Sequence, residues 1–321
     1  MGSFPHFFLR LFSNPVLLSL PTHLIARLER FPVAGETIEG NHFLQAMGGK
    51  GANQALAAYK LGGDVKFITS LGKDVNGENT LKYYRREGLD VEASLIVEDT
   101  PSGTAMIWVD AEGENCIVIT PGANKKLSPK YILENKDEII SADILLLQME
   151  IPYQTVKTIC DIAYRAGKKV ILNVAPACKI EAEVLQKVDV LVVNETEAEV
   201  ISGTTIDKMG MEGVVDRLLS LGVKSVVLTL GKKGCIMKGQ DQQFVVPAFS
   251  VKAVDTTAAG DTFCAALAAE LGRGHDWEQA LRFASAASAI CVTRLGAQPS
   301  IPSVEDVFAF LQKQEVNQGD N

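Results

Sequence analysis

Two aspartates bracket a run of small residues in Val254-Asp255-Thr256-Thr257-Ala258-Ala259-Gly260-Asp261-Thr262-Phe263. This segment joins an extended stretch, 251–254, to an apolar helix that starts near Gly260. Small side chains at Ala258, Ala259 and Gly260 let backbone amides come close to a ligand. Several N–H groups at a helix N-terminus, aided by its dipole, make an anion site. A carboxylate beside an anion hole is unhelpful unless it has a proton to take. Asp261 therefore reads as a general base aimed at a hydroxyl that attacks a phosphoryl group. The plainer reading is an aspartate that caps the helix.

Three further clusters have chemical potential. Gly48-Gly49-Lys50-Gly51-Ala52-Asn53-Gln54 is a glycine-rich turn before a helix, and it lacks the G-x-x-x-x-G-K-[ST] spacing of a P-loop. Lys50 and Asn53 could present a donor and an amide to sugar hydroxyls there, or the segment is simply a turn. Asn194-Glu195-Thr196-Glu197 follows the apolar run 188–193. An amide and a carboxylate one helical turn apart suit the water shell of Mg²⁺, and they equally suit an N-cap with acidic first-turn residues. Thr229-Leu230-Gly231-Lys232-Lys233-Gly234 ends another apolar run and could hold a nucleotide phosphate or ribose, or turn a hairpin.

The elements that must position these residues follow from periodicity. Helical patterns at 51–61, 77–87, 153–166 and 211–221 alternate with short apolar runs at 65–68, 144–147, 169–172, 188–193 and 225–230. Near-continuous apolar strands between amphipathic helices predict an α/β fold: a doubly wound, mostly parallel sheet with helices on both faces. Such sheets bind ligands beyond the carboxyl ends of their strands, where Asn194 and Thr229 fall. Residues 24–46 and 98–120 break the rhythm with strands that no helix separates, including a hairpin around 111–115. They predict a small β-sheet lid, with 47–97 and 121–321 as the α/β core and 1–23 as an atypical segment leading into the first core strand. The last 50 or so residues read as helices at 260–272, 276–293 and 304–313.

Composition narrows the function classes. A 47% apolar fraction and 22% charged residues over 321 positions describe a globular protein with a substantial core. A net charge of −8 offers no basic surplus for nucleic acid. No apolar run reaches the 18 to 20 or so residues that a membrane span needs. The six cysteines form no CxxC pair and read as reduced thiols of a cytoplasmic protein. The apolar start, 1–20, is interrupted by Arg10 and has no basic region ahead of it, which counts against a secretory signal. The first acidic residue is Glu29, so an acid-poor transit peptide stays open. A nicotinamide dehydrogenase is disfavoured because no G-x-G-x-x-G follows an early strand.

Taken in order, GGKGANQA, PGAN, NETEAE, TLGKKG, VDTTAAGDTF and VTRLGAQPSIP resemble the ribokinase group within the PfkB-type sugar and nucleoside kinases. The likeness runs from about Phe31 to Leu311. It implies ATP-dependent phosphorylation of a pentose, D-ribose first, at its 5-hydroxyl. Asp261 would be the base, with Ala258, Ala259 and Gly260 as the anion hole. Gly49, Lys50, Asn53 and Glu150 match sugar-binding positions. Asn194, Thr229, Gly231 and Gly234 match positions that serve ATP, and Asn194 and Glu197 would hold Mg²⁺ through water. A K⁺ site would use the Asp255 side chain, the carbonyls of Thr257, Cys291, Arg294 and Gly296, and the Ser300 hydroxyl. In this family the lids often pair between subunits, which implies a homodimer.

One departure stands out. The group's first strand carries G-S-x-N-x-D before the lid, and alignment on Phe31-Pro32 puts Pro21 at the Asn and His23 at the Asp. That Asp grips two sugar hydroxyls. A charged hydrogen bond contributes about 1.5–3 kcal/mol, so losing one or two weakens binding roughly ten-fold to several-thousand-fold. Three readings follow: an artefact of sequence or start site in 1–21, a preference for another sugar such as deoxyribose or a ketose, or a weakened, non-catalytic relative that binds sugar or nucleotide.

Overall fold

Apolar strands buried on both faces must serve two cores at once, and this chain does so residue by residue. The structure is a computed structural model that describes residues 13–17 and 22–319, with backbone alone for 13–17 and 317–319. Strands β1 (Ser13–Leu17), β2 (Thr22–Arg27) and β3 (His42–Met47) precede the helix Lys50–Lys60. Then come β4 (Asp64–Ile68), β5 (Ser70–Gly72), the helix Val75–Arg86, β6 (Leu95–Val97) and the hairpin β7 (Thr104–Val109) and β8 (Asn115–Thr120). From there β9 (Ile144–Leu147), β10 (Lys169–Asn173), β11 (Val190–Asn194) and β12 (Ser225–Thr229) alternate with helices. Strands β13 (Cys235–Gly239) and β14 (Gln243–Val246) complete the set before the helices Ala259–Gly272, Trp277–Cys291 and Val304–Gly319.

Eight strands make the central sheet in the order β14-β13-β12-β11-β10-β9-β1-β4. It is parallel from β12 to β4, and β13 and β14 add antiparallel to one edge. Alternate residues of one strand enter opposite cores: Ile144 and Leu146 face one, Leu145 and Leu147 the other. The first core also takes the helices Lys50–Lys60, Ala259–Gly272 and Trp277–Cys291. Ten consecutive residues of the helix Ala259–Gly272, from Asp261 to Glu270, are buried. Alanine, cysteine and threonine dominate that run, and their small volume lets the helix sit between the sheet and its neighbours.

Its one buried acid away from the site, Glu270, is met by Arg273 and His275 (Nδ1 to Oε2 2.6 Å). Arg273 also donates to the Leu61 carbonyl at the end of the helix Lys50–Lys60. The two helices that open on the site are thus fastened together at their far ends.

A separate four-stranded sheet, ordered β3-β2-β7-β8, forms the lid. Its first strand starts at Thr22, whose N–H donates to the Gly103 carbonyl at 2.9 Å. His23 therefore belongs to a lid strand rather than to the segment ahead of the lid, and residues 98–103 lie outside the lid strands. A two-stranded sheet of β5 and β6, which the periodicity does not predict, sits between core and lid in the chain. Pro21 lies outside the described residues.

Candidate active site

The helix Lys50–Lys60 begins at Gly49, whose φ of 95° only glycine adopts without strain. A Cβ on Gly48 would lie 2.2 Å from the His23 ring, so the imidazole rests directly on that glycine. The Lys50 N–H donates to Glu150 Oε2 at 2.9 Å, which ties the helix start to the end of β9. Three residues on, Asn53 Nδ2 donates to Asp261 Oδ2 at 2.9 Å. Gly49, Lys50, Asn53, Glu150 and Asp261 therefore meet, although Glu150 and Asp261 are far apart in the chain.

The helix Ala259–Gly272 approaches from the other side. Its cap, Ala258, has φ 61°, the one positive φ outside glycine among the described residues. Left-handed backbone costs an alanine about 1–2 kcal/mol. Ala258→Gly is accordingly expected to stabilise the fold by about 0.5–1 kcal/mol, after glycine's own entropy is deducted, seen as a higher midpoint in denaturant unfolding. An unchanged or lower midpoint would contradict the strain.

The turn directs first-turn amides outward, where the N–H groups of Gly260 and Asp261 have no carbonyl within the helix to bond. The Asp261 side chain is buried, and that burial pushes its carboxyl above the usual range. The Lys50 charge and the Asn53 and Gln54 amides oppose the push. A base of raised pKa accepts a proton more readily.

Beside these amides opens a cavity of about 490 Å³. Thr229, Gly231, Gly234, Ala259 and Gly260 all line it. Gly234 has φ 100°, and a Cβ there would come 2.0 Å from the Val246 carbonyl, so a side chain would push β14 away from the wall. Sequence reasoning missed the rest of the lining, including Phe249, Ser285 and Ser288. Ser285 and Ser288, two hydroxyls within the apolar helix Trp277–Cys291, were the available signal.

Asn194 and Glu197 form a reciprocal capping box. Asn194 Oδ1 accepts from the Glu197 N–H at 2.8 Å, and Glu197 Oε2 accepts from the Asn194 N–H at 2.9 Å. The plainer reading of this pair is thus realised, which leaves one Glu197 oxygen for other work. Burial raises the Glu197 carboxyl, against the Asn194 N–H and the nearby Lys50 charge. Among the described residues no group of three His, Cys, Asp or Glu side chains is placed to hold a metal ion directly.

Asp255 knots two loops. Its Oδ1 accepts from Thr257 N–H (2.9 Å) and Oγ1 (2.6 Å), and its Oδ2 from Gly296 N–H (2.9 Å). Against burial, which raises it, these bonds hold the carboxyl below its ordinary value. Cys291 Sγ sits 3.0 Å from Ser300 Oγ and 3.7 Å from the Thr257 carbonyl. Arg294 joins through its N–H to the Cys291 carbonyl, while its guanidinium turns away to Asp306.

A family model described as pfkB family carbohydrate kinase matches residues 12–304. The chain belongs to the pfkB family of carbohydrate kinases. Among its relatives in the family, a ribokinase of Haemophilus influenzae is 37% identical over 298 residues, covering 92% of this chain and 97% of that one. A deoxyribokinase of Salmonella typhi is 36% identical, covering 91% and 96%. The Arabidopsis thaliana ribokinase, solved with ribose and ATP, superposes with a TM-score of 0.89 at 33% identity, covering 94% of this chain and 99% of that one. This pfkB member thus has the ribokinase-like α/β fold, and the helix starts at Lys50 and Ala259 and the ends of β9, β11 and β12 converge in it.

Proposed function

We infer that this chain transfers the γ-phosphoryl group of ATP to the 5-hydroxyl of D-ribose. The observation that carries the reading is Asp261: a buried carboxylate at a helix start, hydrogen-bonded to Asn53 and next in the chain to Gly260, which lines the cavity. The hydroxyl gives its proton to Asp261 as it attacks. Backbone of the small-residue turn Ala258, Ala259 and Gly260, where the Gly260 and Asp261 N–H groups have no carbonyl in the helix to bond, then meets the phosphoryl oxygens as charge spreads over them. Lys50, whose charge opposes the burial that raises both Asp261 and Glu197, supplies a positive charge near the two acids. Gly49, Lys50, Asn53 and Glu150 bind the sugar, and Thr229, Gly231, Gly234 and Asn194 border the nucleotide. Closure of the lid keeps water from the phosphoryl group.

The remaining Glu197 oxygen fits Mg²⁺ held through water, an ion that usually keeps several of its waters. Bound there, the metal would neutralise charge on the nucleotide phosphates. The ionised Asp255 and the oxygens of Thr257, Cys291, Arg294, Gly296 and Ser300 fit K⁺, a hard cation that favours such donors.

The lid exposes apolar side chains on both faces, Leu44, Ile117 and Ile119 on one and Phe43, Trp108 and Val118 on the other, which supports homodimerisation through it. All six cysteines are free, which supports a reducing, cytoplasmic setting. No helix among the described residues is long and apolar enough to cross a membrane.

Deoxyribose is the second substrate to weigh, since a deoxyribokinase is a comparably near relative and His23 differs from the group's acid. The deciding assay is ADP release with Mg²⁺ and K⁺ over a wide range of D-ribose, 2-deoxyribose and a ketose. Saturation by ribose at the lowest concentration supports the reading. Faster turnover of another sugar replaces the substrate, and ADP release with none of them removes the enzyme reading.

A further inference from the structure

The two oxygens of Asp261 have different company. Oδ2 accepts from Asn53, which lies with Gly49 and Lys50 on the sugar side. Oδ1 accepts from Gln54 Nε2 at 3.0 Å, and Gln54 leads away from the sugar side into the sheet. The second N–H of Gln54 donates to Asn173 Oδ1 at 3.1 Å, and its Oε1 accepts from Gln148 Nε2. Asn173 in turn donates to the Val192 carbonyl at 3.2 Å. Gln148 follows the last residue of β9, Asn173 ends β10, and Val192 is in β11. A chain of buried amides thus runs from three neighbouring strands to one oxygen of the carboxylate.

Every hydrogen-bonding atom of the Gln54 carboxamide is committed. Turning that amide over would set its oxygen against both Asp261 and Asn173, and its NH₂ against the Gln148 NH₂. Its orientation is therefore dictated by its neighbours. Gln148 adds an independent sign. It is fully buried, and its Oε1 finds no partner, a cost that an apolar side chain would avoid. What the amide supplies in return is the bond that fixes Gln54.

We propose that Gln54 is a positioning residue for phosphoryl transfer. Braced by Gln148 and Asn173, it locks Asp261 Oδ1 against the sheet and leaves Oδ2 as the oxygen that takes the substrate proton. The proposal rests on the reading of Asp261 as the base. A carboxylate free to rotate about χ2 would offer Oδ2 to the hydroxyl only part of the time, and a misplacement of about 1 Å in such a site can cost a hundredfold in rate.

The test is a double-mutant cycle in the full chain, with ADP release as readout. Gln54→Met keeps the length of the side chain and removes both donors. Its kcat is expected to fall about ten- to a hundredfold, the worth of one hydrogen bond to a charged group, while KM for sugar and for ATP moves less than about threefold. In the Asp261→Asn background the same change is expected to cost less than twofold, because no carboxylate remains to be held.

Equal losses in both backgrounds, or a raised KM with unchanged kcat, would overturn the positioning role. Near-normal turnover of Asp261→Asn alone would instead overturn the base reading on which it rests. Should Gln54→Met fail to fold, Gln148→Leu removes the brace without touching Asp261. It is expected to lower kcat severalfold at constant KM, and unchanged kcat there would equally overturn the proposal.

Discussion

Asp261→Asn is expected to lower kcat by about 10²–10⁴-fold and to leave ATP affinity within about threefold of the parent protein. The size follows from the chemistry, since an amide cannot accept the hydroxyl proton at any accessible pH. The selectivity follows from the geometry, since Asp261 bonds to Asn53 and Gln54 and is not among the residues lining the 490 Å³ cavity. Steady-state kinetics with a direct nucleotide-binding measurement checks both halves. Near-normal turnover would remove Asp261 from the reaction, and a large loss of ATP affinity would make its role one of binding.

The same variant reports on the charge. Burial raises the Asp261 carboxyl in the folded state, so folding favours its protonated form. Stability contributed by a raised pKa is fully present below the unfolded value, near 4, and is lost as pH rises through the folded value. The variant has no such loss. The difference in Tm, variant minus parent, is therefore expected to grow between pH 4 and 8. A constant or shrinking difference would show that the amides and Lys50 outweigh burial.

Much of the architecture was legible because both faces of the sheet are buried. Runs such as Ile144–Leu147 and Val190–Val193 read as strands only when two cores claim alternate residues, and helices on both sides then follow. The lid was legible from the absence of helices, and its strands lie close to where hairpin signals put them. Residues that depend on long-range pairing were not legible. Gln54 lies 94 residues from Gln148 and 119 from Asn173, and each alone is an amide at the edge of an apolar run. The strands β5 and β6 are three residues each, too short to show a period. Asn194 and Glu197 carried two meanings that local sequence could not separate, because a capping box and a water-held cation draw on the same residue types. The left-handed turn at Ala258 was hidden because nothing in an alanine announces a positive φ.

Restoring a carboxylate beside the glycine turn is expected to have the second large effect. His23→Asp should lower KM for D-ribose by about tenfold or more, with KM for ATP unchanged. His23 lies in β2 opposite Ala46 and Ala105, with the Nε2 edge of its ring against Gly48, the residue before Gly49. Burial lowers the pKa of this imidazole and so favours its neutral form. A neutral ring offers a hydroxyl one acceptor and no charge. A carboxylate at the same Cα offers two oxygens, each worth about 1.5–3 kcal/mol to a hydroxyl donor, which sets the range from about tenfold to several-thousand-fold. Aspartate is also shorter, so space opens over Gly48 where the imidazole now rests. The measurement is KM for ribose and 2-deoxyribose, parent against variant, above pH 7. A fall for ribose alone would mean that the imidazole limits ribose recognition in this member of the family. A rise for both sugars would mean that the ring already serves as their contact, and that this first lid strand is tuned to a sugar that a carboxylate would repel.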